Sequence, residues 1–392
     1  MKTVSKASLL ATLSIMALGA MGAGARADEA LKIGLSLPLS GSGAAWGKGA
    51  EWMCQQAARE IKESGGVKVG GKIYNIQCIA YDNKYTAAEG TKVAQTLINR
   101  DGVKYIVVVG GAPALATQSL TERQGLLFFN QAWGKSSKGP QFPLTFSIIN
   151  SPVEIMPGVI KYITATYPQA KTIALLNPTD STGKETEALS HPLWEKAGIT
   201  VVRSDFYERG TTEFQPIAQR LFAAHSDIID LSSVPAAEAG QVFKELDLLG
   251  YKGVKVSDNG TGAELFLATG GKSVEGVYMA AAQVFDGPNA TEHQRKLNDA
   301  GKALIGESLS ISTNGTYDAV YMLKAGAEKA QSLDPKAIAA AMPSVTFRSF
   351  YTDNATFGGK EDYGSVQQPR LPVYITQIVN GNLVDRARID PK

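Results

Sequence analysis

The sequence predicts an α/β chain of two lobes, each a mainly parallel sheet flanked by helices. Three observations lead there: strand-length apolar runs alternate with amphipathic helical stretches, small-residue loops follow the carboxyl ends of the strands, and the cycle restarts near residue 150. A length of 392 residues, 44% hydrophobic and 19% charged, suits two cored domains and excludes disordered and collagen-like classes.

Residues 31–37 are apolar and β-prone, and 47–63 carry helical periodicity through Trp52, Ala57 and Ile61. Strands at 73–81, 105–109 and 126–130 then alternate with helices at 87–99 and 114–124. The unbroken apolar run Tyr105-Ile106-Val107-Val108-Val109 suits a parallel sheet covered on both faces. After 147–153 the cycle resumes with helix 154–166, strand 172–176, helix 183–197, strand 200–206, helix 213–224, strand 227–231, helix 236–249 and strand 254–257. A strand at 276–282, helices at 292–304 and 317–330, and a hairpin joining 371–378 to 383–388 at Asn380-Gly381 complete the pattern. This return implies lobes that share one chain and cross over more than once. They are expected at 28–149 with 283–345, and at 150–282 with 346–392.

The first residues read as an export signal: Lys2 and Lys6, an apolar stretch from Leu9 to Met21, and a small-x-small site at Ala25-Arg26-Ala27. Cleavage after Ala27 would leave a mature chain that begins at Asp28, free and periplasmic, since no later stretch is long and apolar enough to span a membrane. Removing Lys2, Lys6 and Arg26 from the 39 basic residues leaves 36 against 37 acidic ones, a net charge of −1 instead of +2. Nucleic-acid binding loses its electrostatic basis. Cys54 on a helix and Cys78 on the following strand either form a disulfide, worth roughly 3.5 kcal/mol in the chain-entropy model, or are two buried thiols.

In parallel sheets ligands lie beyond the carboxyl ends of the strands, which puts the site between the lobes. The loop Ser40-Gly41-Ser42-Gly43-Ala44-Ala45-Trp46 offers N–H groups beside an aromatic face, or is a tight turn with Trp46 in the core. Its spacing does not fit a P-loop. Gly110-Gly111-Ala112-Pro113-Ala114 opens a helix with small residues that let a carboxylate reach unpaired N–H groups without a basic side chain; close packing is the competing explanation. Gln131-Ala132-Trp133 follows the fourth strand, with Trp133 expected to face the cleft. On the second lobe, Ser181 and Thr182 and the pair Ser233-Val234 offer small hydroxyls, or cap helices. His191, His225 and His293 are read as surface residues, and no metal, cofactor or catalytic motif is found. The protein is not expected to be an enzyme.

The segments Ile33-Gly34 through Pro38-Leu39-Ser40-Gly41, Gly65-Gly66-Val67 before Gly71-Lys72, Asp101-Gly102-Val103-Lys104-Tyr105, Thr117-Gln118 and Thr316-Tyr317-Asp318-Ala319-Val320-Tyr321 occur in an order that resembles the leucine/isoleucine/valine-binding family of periplasmic receptors. The similarity runs over nearly all of the mature sequence. It implies a type I periplasmic-binding-protein fold with three hinge crossovers, lobes that close on a ligand, an ABC permease of the inner membrane as partner, and a monomer. Members that take α-amino acids hold the ammonium with a threonine hydroxyl, a carbonyl and an acidic residue. Against that pattern Ala114 replaces a serine, Gly134 a threonine, and Asn259 or its neighbour a glutamate. A buried ammonium without its carboxylate costs several kcal/mol, which favours a carboxylate lacking the amine: an aromatic or branched 2-oxo acid, or an aryl carboxylate. If Asp258 restores the acceptor, branched-chain or aromatic amino acids remain the alternative. A sensory receptor of the same fold is the other.

Overall fold

A computed structural model describes residues 29–41, 43–258 and 263–391; the expected leader 1–27, Asp28 and Asn259 lie outside them. The first sheet is built from β1 (Glu29–Leu37), β2 (Val67–Val69), β3 (Lys72–Asp82), β4 (Tyr105–Val109), β5 (Leu127–Gln131) and β6 (Thr145–Ser147), in the order β2-β3-β1-β4-β5-β6. Only β2 is antiparallel to its neighbour. Strand alternation divides the apolar runs between two layers. Tyr105, Val107 and Val109 enter one core cluster with Ile33 and Leu127, whereas Ile106 and Val108 enter another with Phe128 and Leu97.

The second sheet holds β7 (Thr172–Pro178), β8 (Thr200–Tyr207), β9 (Ile228–Asp230), β10 (Val254–Ser257) and β11 (Tyr278–Ala280). After a short pair, β12 (Phe357–Gly358) and β13 (Gln368–Pro369), the chain adds β14 (Val373–Val379) and β15 (Asn382–Ile389), giving the order β15-β14-β11-β10-β9-β7-β8. The last hairpin runs antiparallel on β11. Each sheet therefore has a switch point, β1 against β4 and β7 against β9, where loops diverge to opposite faces.

The crossovers lie side by side. Asn150 Nδ2 donates to the carbonyls of Leu371 (3.1 Å) and Pro372 (3.2 Å), and Ala281 N–H donates to the Tyr374 carbonyl at 3.0 Å. Segment 346–369, expected with the second lobe, bonds largely to the first: Ser147 N–H donates to Gln367 O at 2.9 Å, Lys138 Nζ to Gln368 Oε1 at 2.8 Å, and Phe357 packs on Phe146. The chain passes to the second sheet only beyond residue 370.

Among the helix starts that differ from expectation, two have a clear physical cause. The stretch 47–63 splits into Ala44–Gly47 and Ala50–Glu63 because Gly49 takes φ +81°. The helix expected from Tyr317 begins six residues earlier, as Ile311–Ala330, capped by Ser310 and Thr313. Its polar opening hides the start from periodicity. Gly315 is needed there because a Cβ would stand 2.7 Å from the Ile148 carbonyl of the first crossover.

Candidate functional site

The carboxyl ends of both sheets face one cleft, which leaves about 440 Å³ free of protein atoms, part of it open to solvent. Trp46 follows β1, Tyr85 follows β3, Gly110 and Gly111 follow β4, and Gln131 with Trp133 ends β5. The second lobe contributes Thr182 after β7, Arg209 after β8 and Ser233 after β9; Ile149, Ile311 and Ser312 close the hinge side.

Arg209 is the charged feature of this wall. Its side chain is 10% exposed, and its Nε donates to Asp180 Oδ2 at 2.6 Å. Nη1 reaches the Ser233 carbonyl at 3.4 Å. The guanidinium lies over two rings of the opposite lobe, 5.6 Å from the Trp46 centroid and 5.4 Å from that of Tyr85. Burial opposes the charge, but Tyr85 and the hydrogen-bonded Asp180 outweigh it and hold Arg209 protonated above its ordinary range. Asp180 is itself fixed as the N-cap of helix Ser181–Lys196, accepting from Gly183 N–H at 3.0 Å.

Tyr85 is placed by backbone geometry that few aromatic residues adopt. Lys84 and Tyr85 have φ of +50° and +59°. Asn83, fully buried, holds the turn: its Nδ2 donates to Ser36 O and Val109 O, and its Oδ1 accepts from Tyr85 N–H at 2.8 Å. The ring fits because Gly43 and Gly110 have no Cβ; one built on either would come within 2.3 Å or 2.8 Å of it. Burial pushes the phenol up, while the Arg209 guanidinium lying over the ring works the other way.

Two contacts join the lobes beside the cleft. Thr182 Oγ1 packs so closely on Gly111 that a Cβ there would stand 2.3 Å away. Glu185 accepts from Ser136 N–H at 2.9 Å and Ser136 Oγ–H at 2.6 Å, and its carboxylate fills the space where a Gly134 Cβ would come within 2.5 Å. A threonine at 134 does not fit this arrangement. On the first-lobe wall, Gln131 Nε2 donates to Ser312 Oγ. Gln131 Oε1 and Trp133 Nε1 are buried with no hydrogen-bond partner among the described residues.

A family model described as periplasmic binding protein matches residues 30–382. The chain belongs to the periplasmic binding proteins. Among its curated relatives is the leucine-, isoleucine-, valine-, threonine-, and alanine-binding protein of Pseudomonas aeruginosa, 26% identical over 353 residues that cover 88% of this chain and 91% of that protein. The leucine-binding protein LivK of Thermotoga maritima superposes with a TM-score of 0.77 at 18% identity, covering 92% of this chain and 99% of its own. An ABC-transporter solute-binding protein of R. palustris, solved in complex with benzoate, gives 0.76 at 18% identity, covering 92% and 97%. At such identities the structures share the two-lobed fold. The binding protein is thus a solute-binding protein and not an enzyme. Family members are periplasmic, and among the described residues no helix is long and apolar enough to cross a membrane.

Of the residues singled out from the sequence, Trp46, Gly111, Gln131, Trp133, Thr182 and Ser233 line the binding protein's cleft. The others do not. Ala114 and Ala132 sit in the core layer beneath, and Pro113 packs on Gly90. Ala112 and Ser181 are half-buried on first helical turns and are not among the residues lining the cavity. Val234 is fully buried in the second lobe's core. Asp258 is fully buried beside Asp230, off the cleft wall; burial pushes both carboxyls well above their ordinary range, and the neighbouring Asp258 adds to the shift of Asp230. Cys54 and Cys78 form the disulfide, with Cα atoms 6.3 Å apart.

An anion held by main-chain amides alone is not what the cleft offers: a guanidinium stands over Tyr85 across from Gly111. Sequence reasoning missed Tyr85 and Arg209 although both follow carboxyl ends of strands, in Asn83-Lys84-Tyr85 and Glu208-Arg209-Gly210. Applying that rule to every strand would have found them. Ile311 and Ser312 were hidden by the misplaced helix start.

Proposed function

We propose that the protein, exported and cleaved after Ala27, works as a monomer that delivers a small amphipathic carboxylate to an inner-membrane ABC permease. The ligand is an aromatic or branched 2-oxo acid or an aryl carboxylate. One observation carries this reading: Arg209, charged and enclosed, stands on a wall of Trp46 and Tyr85. Asp180 occupies the Nε side of the guanidinium, which leaves N–H groups on its outer edge for a carboxylate. The aromatic wall rewards a flat apolar body, whose burial of about 150 Å² contributes roughly 4 kcal/mol. An ammonium is poorly served, because no carboxylate is among the described residues lining the cleft, Asp180 beside it is already engaged by Arg209, and Asp258 lies off the wall. The benzoate-bound neighbour supports the same chemistry.

Calorimetric titration of unfolded and refolded protein tests this with paired ligands: phenylalanine against phenylpyruvate, leucine against its 2-oxo acid, and benzoate. The acids without the amine are expected to bind one to one. Arg209→Met should weaken them about ten- to a hundredfold, the worth of a hydrogen bond to a charged group. Binding of the amino acids alone would overturn the reading in favour of an amino-acid receptor.

A further inference from the structure

We infer that the ligand of this cleft carries a ring hydroxyl, which accepts from Trp133 Nε1–H and donates to Gln131 Oε1; the inference rests on the carboxylate reading above. β5 delivers Gln131 to the cleft and Trp133 follows two residues later. The Gln131 amide is oriented by its Nε2, which donates to Ser312 Oγ on the first turn of helix Ile311–Ala330. That leaves Oε1, an acceptor, on a residue 7% exposed, while the Trp133 indole N–H, a donor, belongs to a residue lining the same cleft. Neither has a partner among the described residues.

Buried polar atoms left unpaired are rare because each forfeits its hydration without return. One donor and one acceptor on a single wall select their partner by chemistry. A carboxylate or keto oxygen would serve Trp133 and repel Oε1. An ammonium would do the reverse, and an ether has no hydrogen to give. A hydroxyl satisfies both. Arg209 comes from the opposite lobe, so a hydroxyaryl carboxylate would engage one lobe by its acid group and the other by its hydroxyl. Its binding would then depend on the lobes being together.

The test compares benzoate with 3- and 4-hydroxybenzoate and their methyl ethers, and phenylpyruvate with 4-hydroxyphenylpyruvate, by calorimetry on the full refolded chain. At least one hydroxylated acid is expected to bind about tenfold tighter or better than its parent, and its methyl ether to lose that gain. In Trp133→Phe and in Gln131→Met, the ratio of hydroxylated to parent affinity should fall below about threefold. The ratio is read within each variant, so a general loss of affinity does not obscure it, and the ether comparison needs no variant. Equal affinities in the wild-type protein, with binding still dependent on Arg209, would sink the hydroxyl and leave the carboxylate reading standing; an ordered water would then be the partner of both atoms. A ratio retained in both variants would also overturn the assignment. Binding of no acid at all would remove both readings together.

Discussion

Replacing Gly134 with alanine should open the cleft without touching the ligand. Gly134 has φ −77° and ψ 149°, a conformation open to any residue, so the first lobe by itself is not strained by the change. The added Cβ would stand 2.5–2.8 Å from the Glu185 carboxylate atoms of the opposite lobe. Glu185 is flexible enough to move, and moving takes it off Ser136. Two charge-assisted hydrogen bonds, at 2.9 and 2.6 Å, are then lost. Both are solvent-exposed, so each contributes about 0.5–1 kcal/mol rather than the larger buried value. The closing equilibrium should shift by about 1–2 kcal/mol, a five- to thirtyfold weaker ligand affinity. Glu185→Ala should produce a loss of the same size by removing the acceptor. The double variant should be no worse than either single one, because both act on one contact. Calorimetry gives the affinities, and small-angle X-ray scattering gives the radius of gyration with and without ligand. Additive losses in the double variant, or undiminished affinity in Gly134→Ala, would refute the reasoning.

Two further outcomes concern stability. Reducing Cys54–Cys78, or replacing both by serine, frees a loop with a sequence separation of 24. That should cost roughly 3.5 kcal/mol in urea unfolding, with ligand affinity unchanged because neither residue lines the cleft. Asp318 is fully buried, and burial pushes its carboxyl up to about 8 against the opposing hydrogen bonds from Phe350 N–H and Ser349. The native state therefore keeps a proton that the unfolded chain releases above about pH 4. The stability it contributes is whole below that pH and is lost as pH rises through about 8. Asp318→Asn should flatten this decline and be at least as stable as the wild type at pH 9; a less stable variant there would contradict the buried neutral carboxyl.

The parts of the fold legible in the sequence are those whose pattern is local. Helix Ala87–Asn99 and strands Tyr105–Val109 and Val254–Ser257 stand where periodicity put them, because alternation and apolar runs report burial directly. Strands of two or three residues, such as β2 and β6, lack the length for a pattern and exist through their neighbours. The opening of helix Ile311–Ala330 is polar in sequence yet buried, with Gly315 against the first crossover, a tertiary effect that no single segment shows. The same limit applies to the cleft. The rule that ligands lie past strand ends selects loops, but which side chain of a loop turns inward is set by turns such as the left-handed Lys84-Tyr85 pair and by glycines across the cleft. Thus Gln131 and Trp133 face inward while Ala132 between them joins the core.

The order in which the chain builds its halves has a consequence for biogenesis. Helix Ile311–Ala330 packs on the sheet made by the first hundred and fifty residues, and β14 completes the sheet begun at β7. A chain emerging amino end first completes the first half only once residues 346–369 are out, and the second only with the final hairpin, so both halves finish late and in close succession. Such an interleaved order makes the last twenty residues the step that closes the second half.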